Sequence, residues 1–226
     1  MARHLTAAEI RDAFRIWNVP AIYEPGWETR GNGGSWGDLG FLLMHHTGDD
    51  LPDNVSKNML RDGRPGLSGP LCNFAPRDDG RLHVIAAGPA NHAGTGDPRV
   101  LAAVRAESYG AAPPAPRFSQ GQAGGVGGNS LSMGWESMYA GKNDPTINPL
   151  QYRVAVLSQA AISWKLTQVS GDHWTGKSTL GHKEWQRGKP DPAGIVMATQ
   201  RADIDWCLTH GPAAAWRWYD TGLKST

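Results

Sequence analysis

The segment that most limits what this chain can become is Phe41-Leu-Leu-Met44, four uninterrupted apolar residues behind Gly40. A short apolar run opened by a turn residue suits a buried strand. This one ends on His45-His46-Thr47. A histidine leaving a rigid strand is a good metal ligand, because the backbone fixes where its ring nitrogen points. Neighbouring strand residues face opposite sides, so only one of the two can look into a given site. Standing alone, the pair reads as readily as structural or surface histidines.

Other segments supply the partners such a strand needs. Thr6-Ala-Ala-Glu9 has the capping-box pattern and opens a helix to about Trp17. Residues 24–40, rich in Gly with Trp and Asn, read as a long loop. Residues 55–61 suit a short helix, ended by the turn residues of 63–70. Strands are expected near 71–75 and 81–86, joined by Arg77-Asp-Asp-Gly80, and again at 130–135. Gly, Ala and Pro dominate 110–129, which predicts a mobile surface loop. Apolar positions at 3.6 spacing make 150–166 a helix, and a last helix is expected over 194–207. Strands interspersed with helices predict a mixed α/β (α+β) domain. Its expected centre is a mostly mixed β-sheet flanked by helices, with no internal repeat and no linker.

Length and composition narrow the partners. A chain of 226 residues suits one domain with modest extensions. With 22 basic against 21 acidic side chains, nothing in the charge balance favours nucleic acid or an anionic membrane. No window approaches 18 consecutive apolar residues, so no membrane span is expected. The opening MARHLTAAEIRDAF lacks the apolar stretch of a secretory signal, which predicts synthesis in a cytoplasm. Cys72 and Cys207 are too few for a disulfide framework and read as buried thiols or at most a single bridge. Ten tryptophans serve either as core residues or as aromatic surfaces for sugars or peptides.

The second chemically suggestive stretch is Gly181-His182-Lys-Glu-Trp185 followed by Gly188-Lys189-Pro-Asp191-Pro192. His182 and Asp191 are separated by a loop length that can fold both onto one ion, and the two prolines stiffen the approach to Asp191. In an extended segment Lys189 and Asp191 point the same way. Two imidazoles and a carboxylate with an open fourth position make a catalytic zinc site. By itself this stretch also reads as a charged surface loop.

Taken in order, Leu-Leu-Met-His45-His-Thr, Asn-His92-Ala-Gly, Ser132-Met-Gly-Trp-Glu136 and Gly-His182 with Lys189-Pro-Asp191-Pro resemble the type-2 N-acetylmuramoyl-L-alanine amidase family. That family also contains the peptidoglycan recognition proteins and many phage endolysins. The resemblance covers 38–210, leaving 1–37 and 211–226 as extensions. It implies an amidase-like fold with Zn2+ in a groove at the sheet's edge, held by His45, His182 and Asp191, while His46 binds no metal. It implies Lys189 as the oxyanion-stabilising cation, Glu136 as general base and His92 as a lining residue of the substrate groove. Where one branch of the family has a catalytic tyrosine, this chain has Cys72, which shifts the base role onto Glu136; a structural carboxylate is the other reading of that residue. Trp185 is either a stacking residue for sugar or peptide, or packing behind the site. His83 reads as a packing or surface histidine. The implied activity is hydrolysis of the bond between N-acetylmuramic acid and L-alanine in peptidoglycan by a monomeric endolysin released through a holin. The rival expectations are a recognition module that binds peptidoglycan without cutting it, and a zinc peptidase acting on the stem peptide.

Overall fold

The computed structural model describes residues 3–48, 51–141 and 146–224. Its centre is a six-stranded sheet ordered β1-β6-β5-β9-β2-β10. The strands are β1 (Ala21–Tyr23), β2 (Phe41–His46), β5 (Phe74–Pro76), β6 (Leu82–Val84), β9 (Ser132–Ser137) and β10 (Thr179–Gly181). All neighbours run parallel except β5 and β6, which form the antiparallel pair expected around the Arg77–Gly80 turn. Two small ribbons lie outside it, β3 (Gly63–Arg64) with β4 (Leu67–Ser68), and β7 (Thr95–Gly96) with β8 (Val126–Gly127). The fold is thus the mixed α/β arrangement expected, with a central mixed sheet flanked by helices.

Alternation along β2 shows how both faces are covered. Leu42 and Met44 enter the large core beneath α1 (Ala7–Ile16), α4 (Pro149–Ser170) and α6 (Met197–Thr221). Phe41 and Leu43 pack on the other face with Val100, Leu101 and Val104 of α3 (Pro98–Arg105). A third cluster joins Leu60 of α2 (Asp53–Asp62) to Leu71, Cys72, Ala75 and Ile85. A strand apolar on both sides has no face to offer water, so helices must close both.

Several elements follow from local chemistry. Thr6 and Glu9 form the reciprocal capping box at the start of α1. α3 begins at Asp97, whose carboxylate accepts from Arg99 N at 2.9 Å, with Pro98 in the first turn. α6 continues past the expected end at 207 to Thr221, with a kink at Gly211 (φ 80°) followed by Pro212. Its last segment returns Ala215, Trp218 and Tyr219 to the large core, and α1 with its C-cap residue contributes Ile10, Phe14 and Trp17. Both flanking stretches therefore share the central core.

The segment 110–129 lies at the surface, but it is pinned. Ala111 O accepts from Arg201 at 2.6 Å, Ala115 O from Arg99 at 3.1 Å, and Phe118 O from Arg187 N at 2.8 Å. Two arginine side chains and one backbone N–H from other parts of the chain satisfy carbonyls of this Gly- and Pro-rich segment. Both cysteines are buried and free. Among the described residues no helix is long and apolar enough to cross a membrane.

Candidate metal centre and groove

The alternation that covers the sheet also selects the histidine. His45 shares the face of Phe41 and Leu43, whereas His46 falls on the opposite parity, its ring against Tyr139 at 5.0 Å and its Nδ1 accepting from Ala193 N at 3.2 Å. β10 lies beside β2 and delivers His182 at the start of α5 (His182–Trp185). The chain then loops back, and Lys183 N donates to Asp191 O at 2.7 Å while Lys183 Nζ donates to Pro192 O at 2.8 Å. These bonds close the loop and set Asp191 against both histidines.

Asp191 Oδ2 lies 3.0 Å from His45 Nδ1 and 3.0 Å from His182 Nδ1. The three residues are 2%, 4% and 9% exposed respectively for His45, His182 and Asp191. Zinc bonds of about 2.0–2.1 Å in a tetrahedron separate ligand atoms by about 3.3 Å, so these contacts need to open only slightly. Burial opposes the charge on Asp191, but hydrogen bonds from His182 and His45 outweigh it and hold the carboxyl well below the usual range. Burial first, then the charge on His45, pushes His182 down to about 4. An ionised carboxylate beside a neutral buried imidazole leaves a negative pocket that a cation completes. The donor set thus fits zinc.

A groove of about 280 Å³ opens over these atoms and is lined also by Glu136, Lys189, His92 and Arg64. Glu136 stands opposite His45 in the β2–β9 register, so the two share a sheet face. Lys189 is exposed at the rim while Asp191 is buried. His92 sits under the groove, its Nδ1 3.1 Å from His45 Nε2, and burial followed by the charge on His45 keeps it far below its ordinary value.

Trp185 occupies a different place from the one a stacking residue needs. It is 0% exposed, tilted on Phe41 at 4.5 Å, and its Nε1 donates to Ala93 O at 3.0 Å. A Cβ on Gly96 would lie 2.0 Å from its ring, so the indole fills space a side chain there would claim. With no face open to solvent, Trp185 packs behind the site and gives substrate nothing to stack on. Cys72 is likewise shut away from the groove; burial, then the charge of Glu136, raises its thiol well above the ordinary value. His83 is buried, with Nδ1 2.6 Å from Glu24 Oε1.

The support beneath these residues was not legible in the motifs. Asn129 Oδ1 accepts from the backbone N–H of His92, Ala93 and Gly94 at 3.1, 2.8 and 3.0 Å. Arg201 and Glu184 form a two-pronged ion pair at 2.9 and 3.0 Å, and Glu184 also accepts from Gly181 N at 3.0 Å.

No protein-family model matches the chain, and no curated protein matches it in sequence. Solved structures similar to it include a Drosophila PGRP-LB mutant in complex with tracheal cytotoxin, at 15% identity and a TM-score of 0.47, covering 81% of this chain and 94% of that one. Another is the N-acetylmuramoyl-L-alanine amidase LysC from Clostridium intestinale URNW, at 17% identity and a TM-score of 0.44, covering 81% and 96%. The endolysin amidase LysCS from the same organism has 18% identity and a TM-score of 0.39, covering 77% and 88%.

Proposed function

We propose that this protein is a zinc hydrolase cutting the amide between N-acetylmuramic acid and L-alanine in bacterial peptidoglycan. The observation that carries the reading is the meeting of His45 Nδ1, His182 Nδ1 and Asp191 Oδ2 at the floor of a groove that also holds Glu136 and Lys189. The order of the sequence motifs, which resembles that of the type-2 amidases, supplies the choice of bond. Zinc bound there acidifies water and polarises a carbonyl. Glu136 takes the proton of the attacking water and returns it to the leaving amine. Lys189, at the rim, offsets charge developing on the carbonyl oxygen. An endolysin setting is part of the proposal and rests on the motif resemblance alone.

The test combines zinc content with the masses of peptidoglycan digestion products. The expected result is one zinc per chain and new N-terminal L-alanine, with both lost in His182→Ala. Full cleavage after chelation would remove the metal from the scheme. Products cut inside the stem peptide would make the protein a peptidase, and binding without cleavage would make it a recognition module.

A further inference from the structure

His92 faces the ligand His45 and, on its far side, groups that can only accept. Its Nε2 lies 3.2 Å from the carbonyl oxygen of Ser132 and 3.5 Å from Ser132 Oγ. That hydroxyl gives its own hydrogen to Gly128 O at 2.9 Å, so towards the ring it too is an acceptor. The hydrogen of a neutral His92 must then sit on Nε2, leaving Nδ1 as a bare acceptor. That Nδ1 is 3.1 Å from His45 Nε2. Without a metal, Asp191 Oδ2 at 3.0 Å accepts from His45 Nδ1. With a cation between them, Nδ1 must present its lone pair to the ion, and the hydrogen of His45 then sits on Nε2, where His92 Nδ1 accepts it.

We infer that His92 is a positioning residue: it holds His45 in the ring orientation and tautomer that a metal requires. The inference rests on the metal reading above. The placement of His92 is itself over-determined. Asn129 grips three successive N–H groups of its segment, and Asn129 Nδ2 is tied in turn to Asn91 Oδ1 at 3.3 Å. On β9 the ring rests against Gly134, where a Cβ would come within 2.6 Å of His92 Nδ1. A metal-bound imidazole is ordinarily fixed through its second nitrogen, and loss of that partner weakens metal binding roughly 10–100-fold.

Zinc affinity measured by competition with a chromophoric chelator, in wild type, His92→Phe and His92→Asn, tests this. Phe removes the acceptor, while the Asn side-chain oxygen can restore one near the position of Nδ1. The expected result is a roughly 10–100-fold loss in the Phe variant and recovery of most of it in the Asn variant. Ring-nitrogen NMR of zinc-loaded wild type should find the hydrogen on Nε2 of both His45 and His92. Wild-type affinity in the Phe variant, or a hydrogen on His92 Nδ1, would overturn the inference. If the Phe variant fails to fold, the wild-type spectrum decides alone. A wild type that takes up no zinc defeats the metal reading and this inference with it, whereas zinc uptake insensitive to His92 defeats only the latter.

Discussion

At the scale of single residues, the site divides its work between groups that hold charge and groups that move it. Glu136 shares a sheet face with His45 but is not among the three converging ligands. Glu136→Ala should therefore keep zinc and lose roughly 10²-fold or more in turnover, read as kcat on a defined muropeptide; unchanged kcat would reassign the base. Lys189→Met should also keep zinc and lower kcat, by a margin on the order of 10²-fold if the side chain is a developing-charge donor. The ligands themselves set an acid limit. His182 in the folded, metal-free protein protonates only near 4, against 6.5 as its ordinary value. As pH falls the unfolded chain takes up that proton first, so stability is unaffected above about 6.5 and declines from there to about 4. Thermal melts of metal-free protein should show the decline, and His182→Gln should flatten it. An identical slope in that variant would place the acid sensitivity elsewhere.

At the scale of elements, the ligands are as well placed as the pieces that carry them. His45 rides on a strand flanked on both sides, by β9 and β10. His182 opens a single helical turn that cannot stand alone. That turn is held by Glu184, which accepts from Gly181 N and pairs with Arg201 of α6. Arg201 is 4% exposed and also donates to Thr179 O at 3.1 Å. Arg201→Met leaves the carboxylate unpaired, and breaking such a buried pair costs about 3–5 kcal/mol. Urea denaturation should show that loss, and zinc affinity should fall as α5 loosens. A variant as stable as wild type would mean that the pair only decorates the surface of α6. Elements of this kind explain what was legible and what was not. The α1 capping box, the β2 run and the 3.6 spacing of α4 are signals written within one segment. β1, β10 and α5 have three, three and four residues, and each exists only through its neighbours. α3 carries a local signal too, Asp97-Pro98 at its start.

At the scale of the whole molecule, residues 38–210 and the stretches on either side of them share one core. Trp17 meets Trp164 of α4 edge-on at 6.3 Å, and Asp12 pairs with Lys165 at 2.7 Å. Ile10, Phe14 and Trp17 are at most 1% exposed. Truncating a buried Phe or Trp costs about 3–5 kcal/mol each, against a total domain stability of about 5–15 kcal/mol. A protein shortened to begin at residue 18 should show no cooperative thermal transition and should be degraded rapidly by protease. A sharp melt near that of the full chain would show that 1–17 is dispensable.

The sequence by itself determined the parts that depend on near neighbours: the buried strand ending in two histidines, the loop length joining His182 to Asp191, and the helices with local caps or clear periodicity. Period-two alternation put His45 and His46 on opposite faces, and the resemblance to the type-2 amidases chose His45. What tertiary structure alone decided lies between segments far apart in the chain. Trp185 became packing because Phe41 and Gly96 close over it. The 110–129 segment became a pinned strap because the side chains of Arg99 and Arg201 and the backbone N–H of Arg187 reach its carbonyls. His92 lines the groove and also meets His45, because Asn129 and Gly134 fix where its ring lies. Each is a contact between residues separated by tens of positions, which no local pattern encodes and only packing resolves.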